Sequence, residues 1–207
     1  MVRCPGAAGD PAGWISSADG LSAFPAAHDG RRLDPDDFGL AGGGRMVRLK
    51  EPSEDQFRIW LSFSTRAQAA ERARHWGTTA QDGLEDLETV IPRLLPDGAQ
   101  TQGHLFRVIL DDQDQEVGFV WAGPLPGLRQ EQRFLFGTFV VPSCRGRGVG
   151  RAALGQALEE LRAAGVREVT LEVAGDNAPA RALGRILGYE ELDKPSGTRS
   201  VLLRKTF

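Results

Sequence analysis

The 207-residue sequence predicts an α/β domain, mixed in the α+β sense, and three stretches of it predict that class. Residues 134–165 read as strand, glycine- and arginine-rich loop, helix. Residues 168–188 read as strand, turn, helix. Ahead of both, two helical stretches precede a pair of strands joined by a short acidic turn. Hydrophobic patterns of period 2 and period 3.6 interleaved in one chain mark a sheet layered with helices.

The elements follow in order. MVRLKEP, from Met46, is a short strand. Ser53 with Gln56 three residues on forms a capping box, and Phe57, Trp60, Leu61, Ser64, Ala67 and Ala70 mark one face of a long helix. After a polar break, Leu84, Leu87, Val90, Ile91 and Leu94 keep the helical period, with Pro92 expected to kink the helix or stop it early. Residues 104–110 and 116–122 are strands of a hairpin around DDQDQ, and a Gly/Pro-rich loop, 123–133, leads to FLFGTFVV, a strand by its aromatic and β-branched content. Val149, Ala153, Leu154, Ala157, Leu158 and Leu161 then recur at helical spacing, and Gly165 stands at C′. Val169, Leu171 and Val173 alternate as a strand. Asn177 is the N-cap of a helix with Pro179 in its first turn, Ala180, Leu183, Ile186 and Leu187 as its buried stripe, and Gly188 at C′. RSVLLRKTF is the last strand.

Residues 1–45 belong to a different regime. Gly, Ala, Pro and Asp dominate, periodicity is absent, and the stretch ends in three glycines. Such a segment buries too little apolar surface to offset its ordering entropy, so we expect a disordered extension at 1–45 and one domain at 46–207. Trp14, Phe24 and Phe38 are its only large anchors. A net charge of −3 and a pI near 5.7 give no global basic field, which argues against nucleic acid and anionic membranes as partners. No apolar run is long enough to span a bilayer. Two cysteines, Cys4 and Cys144, and three scattered histidines suit neither a disulfide framework nor a structural zinc site. The expectation is a cytoplasmic protein without metal.

The chemistry concentrates in VVPSCRGRGVGR, residues 140–151. Arg145, Arg147 and Arg151 stand at the start of a helix, the wrong end of its dipole for cations, and residues 142–158 contain no acid to balance them. Gly146, Gly148 and Gly150 leave backbone N–H groups free to turn toward an anion. The run is therefore read as a pyrophosphate cradle. It lacks the G-K-[ST] of a P-loop, and no G-x-G-x-x-G with a distal acid marks a dinucleotide site.

Val140, Pro142, Arg145, Gly148 and Gly150 resemble the acyl-CoA loop of the GCN5-related N-acetyltransferases, V-x-P-x-x-R/Q-x-x-G-x-G/A. Asn177, Ala180, Leu183, Gly188 and Tyr189 resemble that family's next segment. The resemblance covers roughly residues 46–207 and is strongest from 134 to 190. It implies a mixed, mostly antiparallel sheet flanked by helices, in which the strands before and after the cradle helix run parallel and splay apart. It also implies acetyl-CoA as acyl donor, held by Val140, Val141, Arg145, Gly146, Arg147, Gly148, Val149, Gly150, Arg151 and Asn177, with no metal. The activity implied is direct acetyl transfer to a primary amine of a small molecule or peptide; a homodimer is allowed for.

Acyl transfer to an amine needs a base, because an ammonium of pKa near ~10.4 cannot attack, and a donor to the oxyanion that develops. Backbone N–H groups near Val140 and Val141 are the expected donors. Glu172, in an L-E-V context matching the base of the branch that acetylates ribosomal-protein N-termini, is the candidate base. Two departures stand out: Gly184 occupies the position where the family commonly has its tyrosine acid, and Phe139 stands where many members carry an acid. Tyr189 is the substitute acid, although its position matches an aromatic packing site. Asn177 caps its helix and is placed to meet the pantetheine or a water. Cys144 is a remote candidate for a covalent relay, and His104 is expected to be structural or solvent-facing. The acceptor end is expected from the first two helices, their link around 76–84 and loop 123–133, with Asp82, Glu85, Asp86 and Glu88 available to attract a cationic amine. The departures leave a second reading open, a weakly catalytic acyl-CoA-binding regulatory module.

Overall fold

The computed structural model describes residues 47–76, 79–192 and 200–207; the expectations for 1–45, including Trp14, Phe24, Phe38 and Cys4, lie outside the described residues. Strand β1 (Arg48–Lys50) is followed by α1 (Glu54–Trp76) and α2 (Ala80–Leu94), then β2 (Leu105–Leu110), β3 (Glu116–Gly123) and β4 (Gln132–Val140). After α3 (Val149–Ala163) come β5 (Glu168–Ala174), α4 (Ala178–Ile186), β6 (Glu190–Leu192) and β7 (Ser200–Thr206).

Local signals set most boundaries. Ser53 and Gln56 exchange both capping-box bonds, at 2.8 and 3.2 Å. A second box, between Thr79 and Asp82, starts α2. Pro92 does not stop α2, which runs to Leu94. The proline withdraws one N–H from the helix ladder, and the helix closes two residues later.

The strands form one seven-stranded sheet in the order β1-β2-β3-β4-β5-β7-β6. Among the described strands only β4 and β5 pair in parallel, and their register runs from Gln132↔Glu168 to Phe134↔Thr170. A bulge in β4 follows at once: Trp121 faces Gly137 while Ala122 faces Leu135, so Phe136 is the extra residue. A bulge bends its strand and sharpens the twist. Beyond it β4 continues to Val140 against β3, while β5 follows β7 as far as Ala174↔Ser200. The two strands thus part over their second halves, as the resemblance implies.

Each face of the sheet has its own core. On one, α3 buries Val149, Ala153, Leu154, Ala157, Leu158 and Leu161, the same six positions the periodicity marks, with Val169, Val173 and Leu203 beneath them. On the other, α1 and α2 cover Phe106, Phe119, Trp121, Phe134 and Phe139. His104 joins this second layer. Its Nδ1 accepts the Trp121 indole N–H at 3.1 Å, and burial, aided by Arg133, lowers its pKa to about 4, so it is a neutral structural residue.

Candidate active site

Loop and helix N-terminus come first, because their geometry decides whether an anion fits. Gly148 is the N-cap of α3 in the left-handed conformation, φ 78°, and Gly146 has φ 68°. Left-handed glycines flank Arg147, the kind of alternation from which anion nests are built. A Cβ built on either glycine meets no atom within 4 Å, so the space they face is open. The first helical bond is donated by Ala152 to the Gly148 carbonyl, at 3.0 Å. The N–H groups of Val149, Gly150 and Arg151 precede it, no side chain caps them, and the first turn holds no acid. Among the described residues no ion pair joins Arg147 or Arg151. The loop therefore fits a pyrophosphate through its backbone, its helix dipole and these two cations.

Arg145 departs from the expectation. Its Nε donates to the Val140 carbonyl at 2.7 Å and its guanidinium lies 5.2 Å from the Phe139 ring centre, so the side chain turns back onto β4. Val141 is a second correction. Its N–H donates to the Val117 carbonyl at 2.8 Å, which leaves it unavailable to an oxyanion. Strand alternation then turns the Val140 N–H the opposite way, toward the gap that opens between β4 and β5. The peptide linking Val140 to Val141 is held at both ends, its C=O by Arg145 and its N–H by Val117.

Glu172 sits across that gap on β5. It is 2% exposed and accepts a hydrogen bond from the Ser200 hydroxyl at 2.9 Å. Its neighbours Leu171 and Val173 face the α3 layer, so Glu172 faces the α1–α2 layer, as Phe139 does on β4. The cradle helix and the carboxylate thus lie on opposite faces of the sheet, with the splay between them.

The remaining candidates divide. Asn177 caps α4, its side chain accepting from the Ala180 N–H at 3.1 Å, and is buried at the end of β5. Tyr189 is 4% exposed in the α3-side core, where its hydroxyl has no hydrogen-bond partner among the described residues and burial raises its pKa. Its surroundings are those of a packing residue, not of a proton donor. Tyr189→Phe is therefore expected to leave kcat within twofold and to stabilise the fold by about 1 kcal/mol, since it removes an unsatisfied buried group. Denaturant unfolding beside steady-state rates checks both; a tenfold loss of kcat would restore the acid role. Gly184 itself offers no side chain at the family's usual tyrosine position, and a Cβ there would lie 2.8 Å from Leu203 Cδ1, the movable end of a side chain.

Of the acidic candidates on α2, the Asp86 side chain lies outside the described residues. Asp82 is part of the Thr79 cap, Glu85 accepts from Gln81, and Glu88 is exposed. Loop 123–133 sits at the start of β4, where β4 and β5 are still paired, at the far end from the splay. The ring cluster on the α1 side of Phe139 went unread in the sequence, where Phe63 falls off the predicted buried face of the first helix.

A splayed parallel pair, with an uncapped glycine-rich helix start on one face and a buried carboxylate on the other, is the arrangement the resemblance to the acyl-CoA-dependent transferases implies. The chain belongs to the Acetyltransferase (GNAT) family, whose model matches residues 67–189, and is an N-acetyltransferase by class. It is 28% identical over 148 residues to YycN, an uncharacterized N-acetyltransferase of Bacillus subtilis, covering 71% of this chain and 94% of that one. The crystal structure of YycN superposes with a TM-score of 0.66 over 73% of this chain and 97% of its own. A mycothiol acetyltransferase of Beutenbergia cavernae is 32% identical over 148 residues, which span 71% of this chain and 46% of that longer one. The fold is shared with the PaiA N-acetyltransferase of Thermoplasma acidophilum, solved with coenzyme A, at 13% identity and a TM-score of 0.57 over 78% of this chain and 99% of that one. Among the described residues no helix is long and apolar enough to cross a membrane, and no cluster of His, Cys, Asp and Glu could hold a metal ion.

Proposed function

We propose that the protein transfers an acetyl group from acetyl-CoA directly to the primary amine of a small molecule or peptide, in the cytoplasm. The observation that carries this reading is the two-faced splay. Residues 146–151 offer N–H groups and cations to the donor's pyrophosphate on the α3 face, and Glu172 waits on the other face. The donor supplies a thioester carbonyl. The Val140 N–H is placed to bond its oxygen as negative charge develops, and the doubly held peptide after it keeps that donor from swinging away. Glu172, fixed by Ser200, takes the proton of the attacking amine. With Gly184 and the buried Tyr189 in the places of a general acid, the thiol leaves as thiolate. Thiols are acidic enough, with a pKa of about 8.5 for a cysteine side chain, that a thiolate departs without a side-chain acid. Asn177 is proposed to position the donor's arm from the start of α4 while capping that helix. The buried base favours an enzyme over a module that only binds acyl-CoA.

Direct transfer predicts initial-rate lines that intersect when both substrates are varied, and no acetylated intermediate. Cys144→Ser should keep kcat within threefold. Parallel lines together with a dead serine variant would instead establish a Cys144 relay.

A further inference from the structure

The face that carries Glu172 also carries a stack of rings. Phe106, Phe119 and Phe139, on neighbouring strands, lie 5.6 and 6.0 Å apart with interplanar angles of 4° and 22°. Helix α1 crosses above them: Phe57 meets Phe106 at 5.0 Å, Trp60 meets Phe119 at 5.3 Å, and Phe63 meets Phe139 at 4.4 Å. The stack starts in the core and surfaces at Phe63, which is 42% exposed, with Ile59 one turn earlier 66% exposed. A single exposed apolar side chain needs no explanation. Phe63 differs because it is the open end of a packed stack, and the ring beneath it belongs to the residue just before Val140.

The geometry points to an acceptor subsite for a primary monoamine with an aromatic or aliphatic body, the body lying on Phe63 and Trp60 and the amine turned to Glu172. This rests on the acetyl-transfer reading above. Continuity fixes the place: the wall runs without a break from α1 to the β4 edge of the splay, on the base's side of the sheet. Charge fixes the class. The Arg145 guanidinium lies over the Phe139 ring, so a second ammonium brought to this wall meets a fixed cation. Among the described acids of α2, Asp82 is held in the Thr79 cap, Glu85 bonds Gln81 and Glu88 is exposed. Rings favour apolar bodies and a single ammonium approaching their faces, and the cation selects against polyamines.

The test compares phenethylamine and spermidine as acceptors, following thiol release, with acetyl-CoA affinity measured separately by calorimetry. Phenethylamine should have a kcat/KM at least tenfold above that of spermidine. Phe63→Ala should raise the KM for phenethylamine at least tenfold and leave acetyl-CoA affinity within twofold, and Phe63→Tyr should restore the KM. A preference for spermidine, turnover of neither amine, or an unchanged KM in Phe63→Ala, with acetyl-CoA still bound, overturns the subsite alone. Failure of the unaltered protein to bind acetyl-CoA overturns the acetyl-transfer reading beneath it.

Discussion

Gly150→Glu is expected to weaken acetyl-CoA binding at least 100-fold, about 2.8 kcal/mol, without unfolding the protein. Gly150 is the second residue of α3, and a Cβ there would lie 3.6 Å from Val140 Cγ2, an ordinary contact. The backbone therefore tolerates a side chain. What it adds is a carboxylate in the first turn, where the helix dipole welcomes negative charge and where the donor's pyrophosphate would otherwise sit. The variant should be as stable as the parent, or up to about 1 kcal/mol more so, while thermal stabilisation by acetyl-CoA disappears. Calorimetric titration gives the affinity and a thermal scan the stability. Retained affinity would mean that the anion binds elsewhere.

The second large effect belongs to Glu172→Gln. The amide keeps the shape and can still accept the Ser200 hydroxyl, so the fold should hold. Losing the base should lower kcat by 10²–10⁴, about 3–5 kcal/mol at the transition state, with acetyl-CoA affinity unchanged. The pH dependence gives the sharper reading. Below an amine pKa of about 10 the acceptor is an ammonium and must be deprotonated on the enzyme; above it the free amine needs no base. The ratio of parent to variant rates should therefore shrink as pH rises toward 10. A loss constant across pH would assign Glu172 a structural part only.

The features legible in the sequence are those set within a few residues of chain. Ser53 with Gln56, Asn177 ahead of Ala180, and the left-handed Gly165 and Gly188 mark helix ends by local hydrogen bonding, and each holds in the structure. The cradle is legible for the same reason, since Gly146, Gly148 and the first turn of α3 make their geometry within one short loop. Pairings distant along the chain are not so encoded. Nothing local to Val141 tells that its N–H goes to Val117, and nothing local to Arg145 tells that it folds onto Val140 and Phe139 rather than into the loop. The bulge at Phe136 depends on β3 as much as on β4. Phe63 falls off the predicted buried face of its helix, and only the crossing of α1 over β4 gives it a partner. Tyr189 shows the converse: a residue type suited to acid chemistry, packed by α4 and β7 into the α3-side core.

Amide hydrogen exchange with and without coenzyme A tests the two-faced splay most directly. The expected result is protection confined to the N–H groups of residues 146–151 and of Val140, with α1 and α2 unchanged until an acceptor amine is added. Protection that appears on α1 and α2 with coenzyme A alone, and spares residues 146–151, would contradict it.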